Sequence, residues 1–334
     1  MTTTISRFAG AFVAAGFLAG AGIAEAQSVR WDLTNDYQAA SLPAQTDQVF
    51  ADRLKELSNG DIAVTLHLGG SLGYKSQDAF DAVRNGAVPV ASAATIFWGG
   101  IHPMFKLSGV PFLPTSTDEA RILMEVARES YEEVLEENNQ VLLYTAPWPP
   151  SGIWSEEPVD SLDKLKGLKI RTYDTNGTQT LQRLAASPVQ LAWGDVVPQL
   201  AANGIDAVLT SADGGVGAKF WEHVDYFTEI NYAMPLQMTT LNKDEWDALS
   251  DEQKAMVREA AKAAEDFAWE ALGTRVEKNY ETMKANGVTI VTELSPEYVA
   301  ALLEAGTPAH AAWAAELGPK GEAILKAFSE KVGR

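Results

Sequence analysis

The chain has 334 residues, no Cys and a formal net charge of -19. Without Cys there is no disulfide framework, so the stability of the protein must come from a large core. The acidic balance argues against binding to nucleic acid, which needs a basic face, and against docking on anionic lipid headgroups.

Residues 1–26 have the pattern of a secretory signal peptide. Residues 1–7 carry one positive charge, residues 8–23 are apolar, and Ala-Glu-Ala at 24–26 fits the small-x-small motif that a signal peptidase cuts. A single membrane anchor is the alternative, but the apolar run is shorter than the roughly 20 residues that a span needs. No later segment is long and apolar enough to span a bilayer. We therefore predict a cleaved signal peptide, a periplasmic location and a protein that is not embedded in the membrane.

The first half of the remaining chain alternates strand-like and helix-like segments. Helical segments carry apolar residues three or four positions apart, and the strand-like segments are rich in Val and Ile, which is typical of βαβ units under a mostly parallel sheet. The predicted strands cover 29–35, 61–68, 88–94 and 140–146, and the predicted helices cover 43–60, 75–86 and 117–138.

A second set of α/β units follows the Pro-rich segment PWPPSG at 147–152, which we interpret as a crossover between lobes. The strands GLKIRT, VQLAW and IDAVLTS are separated by helices near 178–186 and 195–203. We predict two α/β lobes in tandem. Lobe I takes residues 27–148 and about 236–275, and lobe II takes residues 149–235 and about 276–334.

A long helix is predicted near the end of the second set. Ser250 and Gln253 form a capping box, so the helix begins near residue 251, and helical periodicity continues to about Ala285 with a bend expected at Gly273. At about 1.5 Å per residue the helix is about 50 Å long, enough to run along both lobes and tie them together.

One enzyme motif is present. Residues 69–73, GGSLG, match G-x-S-x-G between a predicted strand and a predicted helix, and His102, His223 or His310 would have to serve as base to Ser71. Ser71 comes too early in the chain, however, because a nucleophile elbow follows a central strand with several strands before it. A glycine-rich turn is therefore favoured over a serine hydrolase.

The sequence offers no pattern for a metal or a nucleotide. The four His residues are scattered, none pairs with another at ligand spacing, and no P-loop or G-x-G-x-x-G follows a strand. We therefore expect neither a cofactor nor a metal site.

Aromatic, amide and hydroxyl residues follow the predicted strands. In open parallel sheets, ligands bind outside the carboxyl ends of the strands, so these side chains should meet in one cleft between the lobes. The candidate ligand-binding residues are Arg171, Trp193, Thr210, Ser211, Asn35, Tyr37, Trp98, Trp148 and Ser151.

Arg171 is the strongest candidate among them. Its planar fork matches a carboxylate or a sulfonate in two parallel hydrogen bonds, and a helix beginning near Asn176 would add its positive end to the same place. The alternative is a salt bridge to a neighbouring carboxylate such as Asp174.

The segment SLDKLKGLKIRTYDTNGTQTLQRLAASPVQLAWGDVVPQLAANGIDAVLTS, residues 161–211, resembles solute-binding proteins of tripartite ATP-independent periplasmic (TRAP) transporters, the dicarboxylate-receptor-like family. The segments GGSLG, FDAVRNGAV, GVPFL, AKFWEHV and WDALSDEQK extend the resemblance over nearly all of the chain after the signal. It implies a two-lobed periplasmic-binding-protein fold, type II-like. Each lobe would be a mixed, mostly parallel sheet with flanking helices, and both lobes would share the long helix.

The same resemblance implies a receptor, not an enzyme. Such a receptor captures a small organic acid anion by closure of its lobes and delivers it to a TRAP-type membrane permease. Arg171 would grip the ligand carboxylate, Trp193 would form a wall, and Thr210 and Ser211 would stand where relatives often carry an amide or an acid. Hinges near 148 and 235 would bring Asn35, Tyr37 and Trp98 down as a lid.

Departures from the family pattern narrow the expected ligand. Ser151 stands where the sialic-acid branch carries a second Arg, and Ala207 and Leu209 replace a Gly and an acidic residue. With polar groups lost and Trp residues gained, a small acid that is partly apolar or aromatic suits the pocket. A small organosulfonate, and a sensing role in place of transport, remain open alternatives.

Overall fold

The structure is a computed structural model that describes Met1 and residues 28–333. The predicted signal peptide therefore lies, apart from Met1, outside the described residues. Within the described part of the chain, no helix has both the length and the apolar composition needed to cross a bilayer.

The first sheet has the strand order β2-β1-β3-β10-β4. Its strands β1, β2 and β3 run parallel, and β10 lies antiparallel between β3 and β4. Helices α1, α2 and α3 connect these strands. In chain order the elements are β1 (Val29–Thr34), α1 (Leu42–Leu57), β2 (Ile62–His67), α2 (Ser76–Arg84), β3 (Val90–Ala94), α3 (Thr117–Glu136), β4 (Gln140–Pro147) and β10 (Leu236–Asn242).

The second sheet has the order β11-β9-β5-β8-β6-β7, with β5 antiparallel to both of its neighbours. Both sheets are therefore mixed and mostly parallel, as predicted. The elements are β5 (Ser151–Ser155), α4 (Leu162–Leu165), β6 (Lys169–Thr172), α5 (Thr175–Arg183), β7 (Ser187–Gln190), α6 (Val196–Ala201), β8 (Ala207–Ser211), α7 (Ala212–Gly217), β9 (Tyr226–Thr228) and β11 (Thr289–Val291).

Strand β5 is absent from the sequence prediction, which placed a crossover over 147–152. The strand begins at Ser151, immediately after the prolines, and includes Gly152. A Cβ atom at Gly152 would lie 2.4 Å from the Phe227 ring and 2.5 Å from the Thr228 carbonyl oxygen. This glycine therefore marks the close approach of two strands and not a loop.

The predicted strand VQLAW also differs from the structure. Strand β7 ends at Gln190, and Trp193 opens a short 3-10 turn over Trp193–Asp195.

Helix α9 (Asp251–Ala285), which follows the short helix α8 (Lys243–Asp247), joins the two lobes. The predicted capping box is present, since the Ser250 hydroxyl accepts from the backbone N–H of Gln253 and the Gln253 side chain bonds back to Ser250. Val257 packs in the core of the first lobe, and Met283 packs in the core of the second. The predicted shared helix is confirmed, although it continues through Gly273 as helix.

The last helices return to the first lobe. Helix α10 (Pro296–Gly306) packs against α5, but α11 (Pro308–Leu317) and α12 (Pro319–Val332) pack against the first lobe. Trp313 and Phe328 are buried in the same core cluster as Tyr131 of α3, and Lys320 pairs with Glu133. The structure differs here from the expectation that 276–334 belongs to the second lobe. Periodicity shows which face of a helix is apolar but does not show which lobe covers it.

Two extended connections between the lobes run side by side. The chain passes from β4 to β5 and returns from β9 to β10, close to the predicted hinge positions near 148 and 235. The backbone N–H of Trp148 donates to Pro235 (2.9 Å), and that of Ser151 donates to Ala233 (2.8 Å). The connections therefore form one hydrogen-bonded pair.

Gly273 provides a test of helix α9. A Cβ at this position would meet no atom within 4 Å, and an interior helical glycine costs about 0.5–1 kcal/mol relative to alanine. We expect Gly273→Ala to raise the free energy of unfolding by about that amount in urea denaturation. The matched change Gly152→Ala should lower it, because strand β9 leaves no room for the methyl group. A loss of stability in Gly273→Ala would show that the helix has to bend there.

Candidate ligand-binding site

Arg171 lies on β6, between β7 and β8, and its side chain is almost wholly buried. Its Nε and Nη2 atoms donate to the carbonyl oxygen of Leu191 (3.1 and 3.0 Å), and Nη1 donates to that of Leu209 (3.3 Å). A guanidinium has five N–H groups, so one N–H on each terminal nitrogen remains for a ligand. Paired N–H groups on the two terminal nitrogens of a guanidinium can bind a carboxylate in bidentate fashion.

Burial lowers the pKa of Arg171 to about 10, and the group therefore stays cationic at neutral pH. Among the described residues, no carboxylate lies within ion-pair distance of it. The predicted alternative partner Asp174 instead accepts from the backbone N–H of Gly177 (2.8 Å) and caps α5. The N-terminus of α5, which was expected to attract the ligand, is therefore capped by the Asp174 side chain. Arg171 is a buried cation in need of an anion.

A cavity of about 330 Å³ of empty space faces this fork. Both lobes contribute to its walls, and Arg171 is the one charged side chain among the described residues that line it. The lining residues are Tyr37, Ala94, Ile96, Trp148, Ser151, Arg171, Tyr173, Trp193, Thr210, Ser211 and Pro235. The structure thus brings together seven of the nine predicted residues.

Three aromatic rings form a continuous wall of this cavity. The Tyr37 ring centroid is 4.6 Å from that of Trp148 and 5.2 Å from that of Trp193. The Trp148 indole N–H donates to Gln237 Oε1 (3.2 Å), and the Trp193 indole N–H donates to Gln38 Oε1 (3.4 Å). Because these donors are used within the protein, the two indoles offer apolar ring surface to a ligand.

Hydroxyl groups supply the remaining polarity of the cavity. The Tyr173 hydroxyl donates to Ser151 Oγ (3.3 Å), and Ser211 Oγ accepts from the backbone N–H of Gly214 (3.1 Å) as the cap of α7. Thr210 is buried beside them. The Ser211 hydroxyl therefore caps helix α7, whereas the Ser151 and Thr210 hydroxyls are better placed to form hydrogen bonds with a ligand.

Two predicted site residues, Trp98 and Asn35, do not line this cavity. Trp98 lies in the core of the first lobe, with its ring 5.3 Å from Phe80 and 5.2 Å from Phe105 and its indole N–H on the Ser76 carbonyl oxygen (2.8 Å). The 3-10 turn after β3 directs the ring inward. Asn35 is fully buried behind Tyr37.

Sequence reasoning did not select four lining residues, Ala94, Ile96, Tyr173 and Pro235. Tyr173 follows Arg171 by two positions, so strand alternation could have placed both on one face. Ala94 and Pro235 carry no polar or aromatic side chain, and only the fold brings them to the cavity.

Contacts across the cleft show that the lobes are closed. Lys75 Nζ lies 2.9 Å from Asp195 Oδ2, and the backbone N–H of Leu42 donates to Asp213 Oδ2 (2.8 Å). Arg275 of α9 pairs with the same Asp213. Closure therefore buries a carboxylate of the second lobe against the N-terminus of α1.

The GGSLG segment is a glycine turn. Gly69, Gly70 and Gly73 all have positive φ, and Ser71 is exposed. His102 Nδ1 accepts from its own loop, and His310 Nε2 lies 2.6 Å from the Pro111 carbonyl oxygen, so neither serves Ser71. Among the residues that the structure describes, no cluster of three or more His, Cys, Asp or Glu side chains could hold a metal ion.

A buried cation that faces an aromatic cavity between two lobes is the arrangement expected of a solute-binding protein. The chain belongs to the bacterial extracellular solute-binding protein family 7, which matches residues 38–316. The resemblance seen in the sequence is thereby confirmed.

Several relatives are similar over nearly the whole chain. The ectoine/5-hydroxyectoine-binding periplasmic protein UehA of Ruegeria pomeroyi is 28% identical over 98% of this chain and 97% of its own. A TRAP solute-binding protein specific for pyroglutamate, from an unidentified marine microbe, has a TM-score of 0.86 and 27% identity, covering 91% of this chain and 99% of its own. DctP6 of Bordetella pertussis, a receptor binding pyroglutamic acid, has a TM-score of 0.86 and 26% identity, covering 90% of this chain and 100% of its own.

As a member of this family the protein is an extracytoplasmic receptor for small organic anions, not an enzyme, and it works with TRAP-type membrane permease subunits.

Asp174 makes the stability of the protein depend on pH. Burial raises the pKa of its carboxyl to about 7, while the Gly177 N–H and Arg171 oppose the rise. From about pH 4, near the ordinary pKa of Asp, to about pH 7, the folded protein holds a proton that the unfolded chain has released. The contribution of Asp174 to stability therefore falls as the pH rises through this range.

We expect Asp174→Asn, which keeps a capping side chain, to weaken this decline. Urea denaturation of both proteins from about pH 4 to 8 measures the two slopes. Equal slopes would contradict the raised pKa of Asp174.

Proposed function

We propose that the ligand is a small cyclic monocarboxylate, captured when the lobes close and passed to the permease. The observation that carries this proposal is the unpaired fork of Arg171 facing a small aromatic cavity. Arg171 anchors the carboxylate, and Tyr37, Trp148 and Trp193 enclose the ring. Ser151 and Thr210 bond to a second polar group.

Charge matching favours a ligand with one net negative charge. A dianion, or a zwitterion with a compact ammonium group, would leave one buried charge without an opposite partner, which costs several kcal/mol. Ser151 stands in place of a second Arg, so it can donate one hydrogen bond but cannot neutralise a second acid. The cavity thus holds one acidic group firmly and recognises the rest of the ligand by shape.

The size of the cavity favours a compact ligand. The space between its closed walls that protein atoms do not fill is about 330 Å³, and part of it is open to solvent, so a large ligand would not fit without opening of the lobes. Pyroglutamate, the ligand of two similar receptors, is a five-membered lactam that carries one carboxylate. Ectoine, a ligand of UehA, also carries one carboxylate on a small ring, but its ring is a cationic amidinium and the molecule has no net charge. The lactam ring of pyroglutamate is neutral, so this ligand carries the single net negative charge that Arg171 can match.

A carboxylate is favoured over a sulfonate. The two remaining N–H groups of Arg171 match the two oxygens of a planar carboxylate, whereas the third oxygen of a sulfonate would need a further donor. The neighbouring indole N–H groups already have partners.

The motion that we propose is hinge bending at the paired connections near 148 and 235. Lobe I comprises residues 28–148, about 236–275 and 308–333, and lobe II comprises the rest, with α9 shared. We also propose that residues 1–26 are removed on export to the periplasm.

Arg171 provides the direct test. Arg171→Ala should weaken binding of pyroglutamate at least about tenfold, because a charge-assisted bidentate contact is worth more than the 1.4 kcal/mol that equals one decade. Calorimetry measures the affinity, and Arg183→Ala on the exposed end of α5 is the matched control. Unchanged affinity in Arg171→Ala would show that Arg171 does not anchor the ligand.

A thermal-shift panel tests the ligand class. Pyroglutamate should raise the melting temperature more than glucuronate, a dicarboxylate or isethionate, a small sulfonate without an amine, at equal concentration. A larger shift with isethionate would show that the site prefers a sulfonate to a carboxylate. A larger shift with the sugar acid or the dicarboxylate would contradict the small monocarboxylate.

A further inference from the structure

Tyr37 and Trp148, two residues that line the cavity, are connected by hydrogen bonds to a buried carboxylate that does not line it. Asp47 lies on α1, is fully buried, and is not among the lining residues. A buried carboxylate is costly unless several hydrogen bonds satisfy it. Its partners therefore indicate what it holds in place.

The first connection leads to Trp148. The indole N–H of Trp148 donates to Gln237 Oε1 (3.2 Å), and Gln237 Nε2 donates to Ser92 Oγ (3.2 Å). Ser92 Oγ also lies 3.5 Å from Asn35 Nδ2, the same amide group that donates to Asp47 Oδ2 (2.7 Å). The Ser92 hydroxyl next to this carboxylate also lowers the pKa of Asp47. Gln237 and Ser92 are both buried behind the cavity wall.

The second connection leads to Tyr37. The backbone N–H of Tyr37 donates to Asn35 Oδ1 (2.9 Å), and Asn35 Nδ2 donates to Asp47 Oδ2 (2.7 Å). Asn35 was predicted to contact the ligand, but it does not line the cavity, whereas Tyr37 does. Tyr37 in turn packs on Trp148, so the two connections end on adjoining rings.

Both connections donate in one direction, from the cavity wall towards Asp47. An ionised carboxylate only accepts hydrogen bonds, whereas an amide can present either its oxygen or its NH₂ group. The carboxylate therefore fixes Asn35 with its oxygen towards Tyr37. Through Ser92 it likewise fixes Gln237 with its oxygen towards Trp148. Without the carboxylate as acceptor, the side-chain amides of Asn35 and Gln237 could each flip and exchange the positions of their oxygen and NH₂ group.

Other bonds hold Asp47 but do not lead to the cavity. Tyr144 and Thr239, which face each other across β4 and β10 beside a register shift, donate to Oδ1 (2.8 and 3.2 Å). Thr239 thus contacts the same carboxylate as Ser92 and Asn35 without belonging to either connection. It provides a matched control.

We propose that Asp47 is a positioning residue that, through Asn35 and through Ser92 and Gln237, sets the orientation of Tyr37 and Trp148 in the ligand cavity. The inference rests on the proposed function, because it concerns the aromatic wall of that site. Asp47 acts on the ligand only through these side chains.

The first test needs no ligand. Ser92→Ala cuts the connection to Trp148, and Thr239→Val removes a hydrogen bond of the same Asp47. In ¹H–¹⁵N spectra the Trp148 indole signal is assigned by its loss in Trp148→Phe. Its hydrogen exchange should be at least about tenfold faster in Ser92→Ala than in the wild type, and within about twofold of wild type in Thr239→Val. Equal exchange in both variants would overturn the proposal, whether or not a ligand binds.

A pH titration of the same signal tests the role of the carboxylate. Burial raises the pKa of Asp47 to about 6. Its titratable contact is Tyr144, whose pKa is raised well above the ordinary value and which keeps its proton. The Trp148 indole shift should therefore change with a midpoint near this pKa in the wild type. Asp47→Asn should lack that transition, and a transition retained in Asp47→Asn would contradict the link.

The affinity for pyroglutamate provides the functional readout. Ser92→Ala and Asp47→Asn should bind it about five- to tenfold more weakly than the wild type, and Thr239→Val should bind it within about twofold. Wild-type protein that binds no small carboxylate would contradict the proposed function and leave the spectroscopic result to decide on Asp47. Wild-type binding with equal affinity in all three variants would overturn the positioning role alone.

Discussion

A guanidinium taken out of water without a carboxylate partner is the constraint on which the rest of this structure depends. Such burial costs several kcal/mol, and hydrogen bonds to the carbonyl oxygens of Leu191 and Leu209 offset only part of it. The acidic surface cannot help, because its carboxylates remain in solvent, and the buried carboxyl of Asp174 caps a helix. Arg171 is therefore held rigidly by neighbouring backbone while its outer edge stays uncompensated. Tyr173 and Trp193 place their ring centroids 5.7 Å from its guanidinium carbon but bring no negative charge, which the proposed ligand would supply.

The two-lobed architecture lets this cation be both buried and reachable. The antiparallel strands β5 and β10 each follow a passage between lobes, and the paired backbone at Trp148 and Pro235 lets both passages bend together. Helix α9 adds a third link, and Arg275 on it meets Asp213 where the lobes touch. In the motion that we propose, opening would expose the cavity to water, and closing would place aromatic rings from both lobes around an anion bound to Arg171.

Local patterns in the sequence were sufficient for most elements and for the position of Arg171. Cap signals located α9, and the strand-like segment GLKIRT placed Arg171 near the end of β6. The missed features depend on distant neighbours. Gly152 marks a strand only because Phe227 approaches it, Trp98 turns into a core that Phe80 and Phe105 build, and Asn35 is separated from the cavity by Tyr37. A polar residue after a strand can thus contact the ligand or support a residue that does, and only the packed structure distinguishes the two.

The return of α11 and α12 to the first lobe has a consequence for the order of assembly. Trp313 and Phe328 complete a core that begins with Phe80. A chain that emerges from the ribosome with its N-terminus first cannot finish that core until its last helices have been made. The first lobe to be synthesised is therefore the last whose core can be completed.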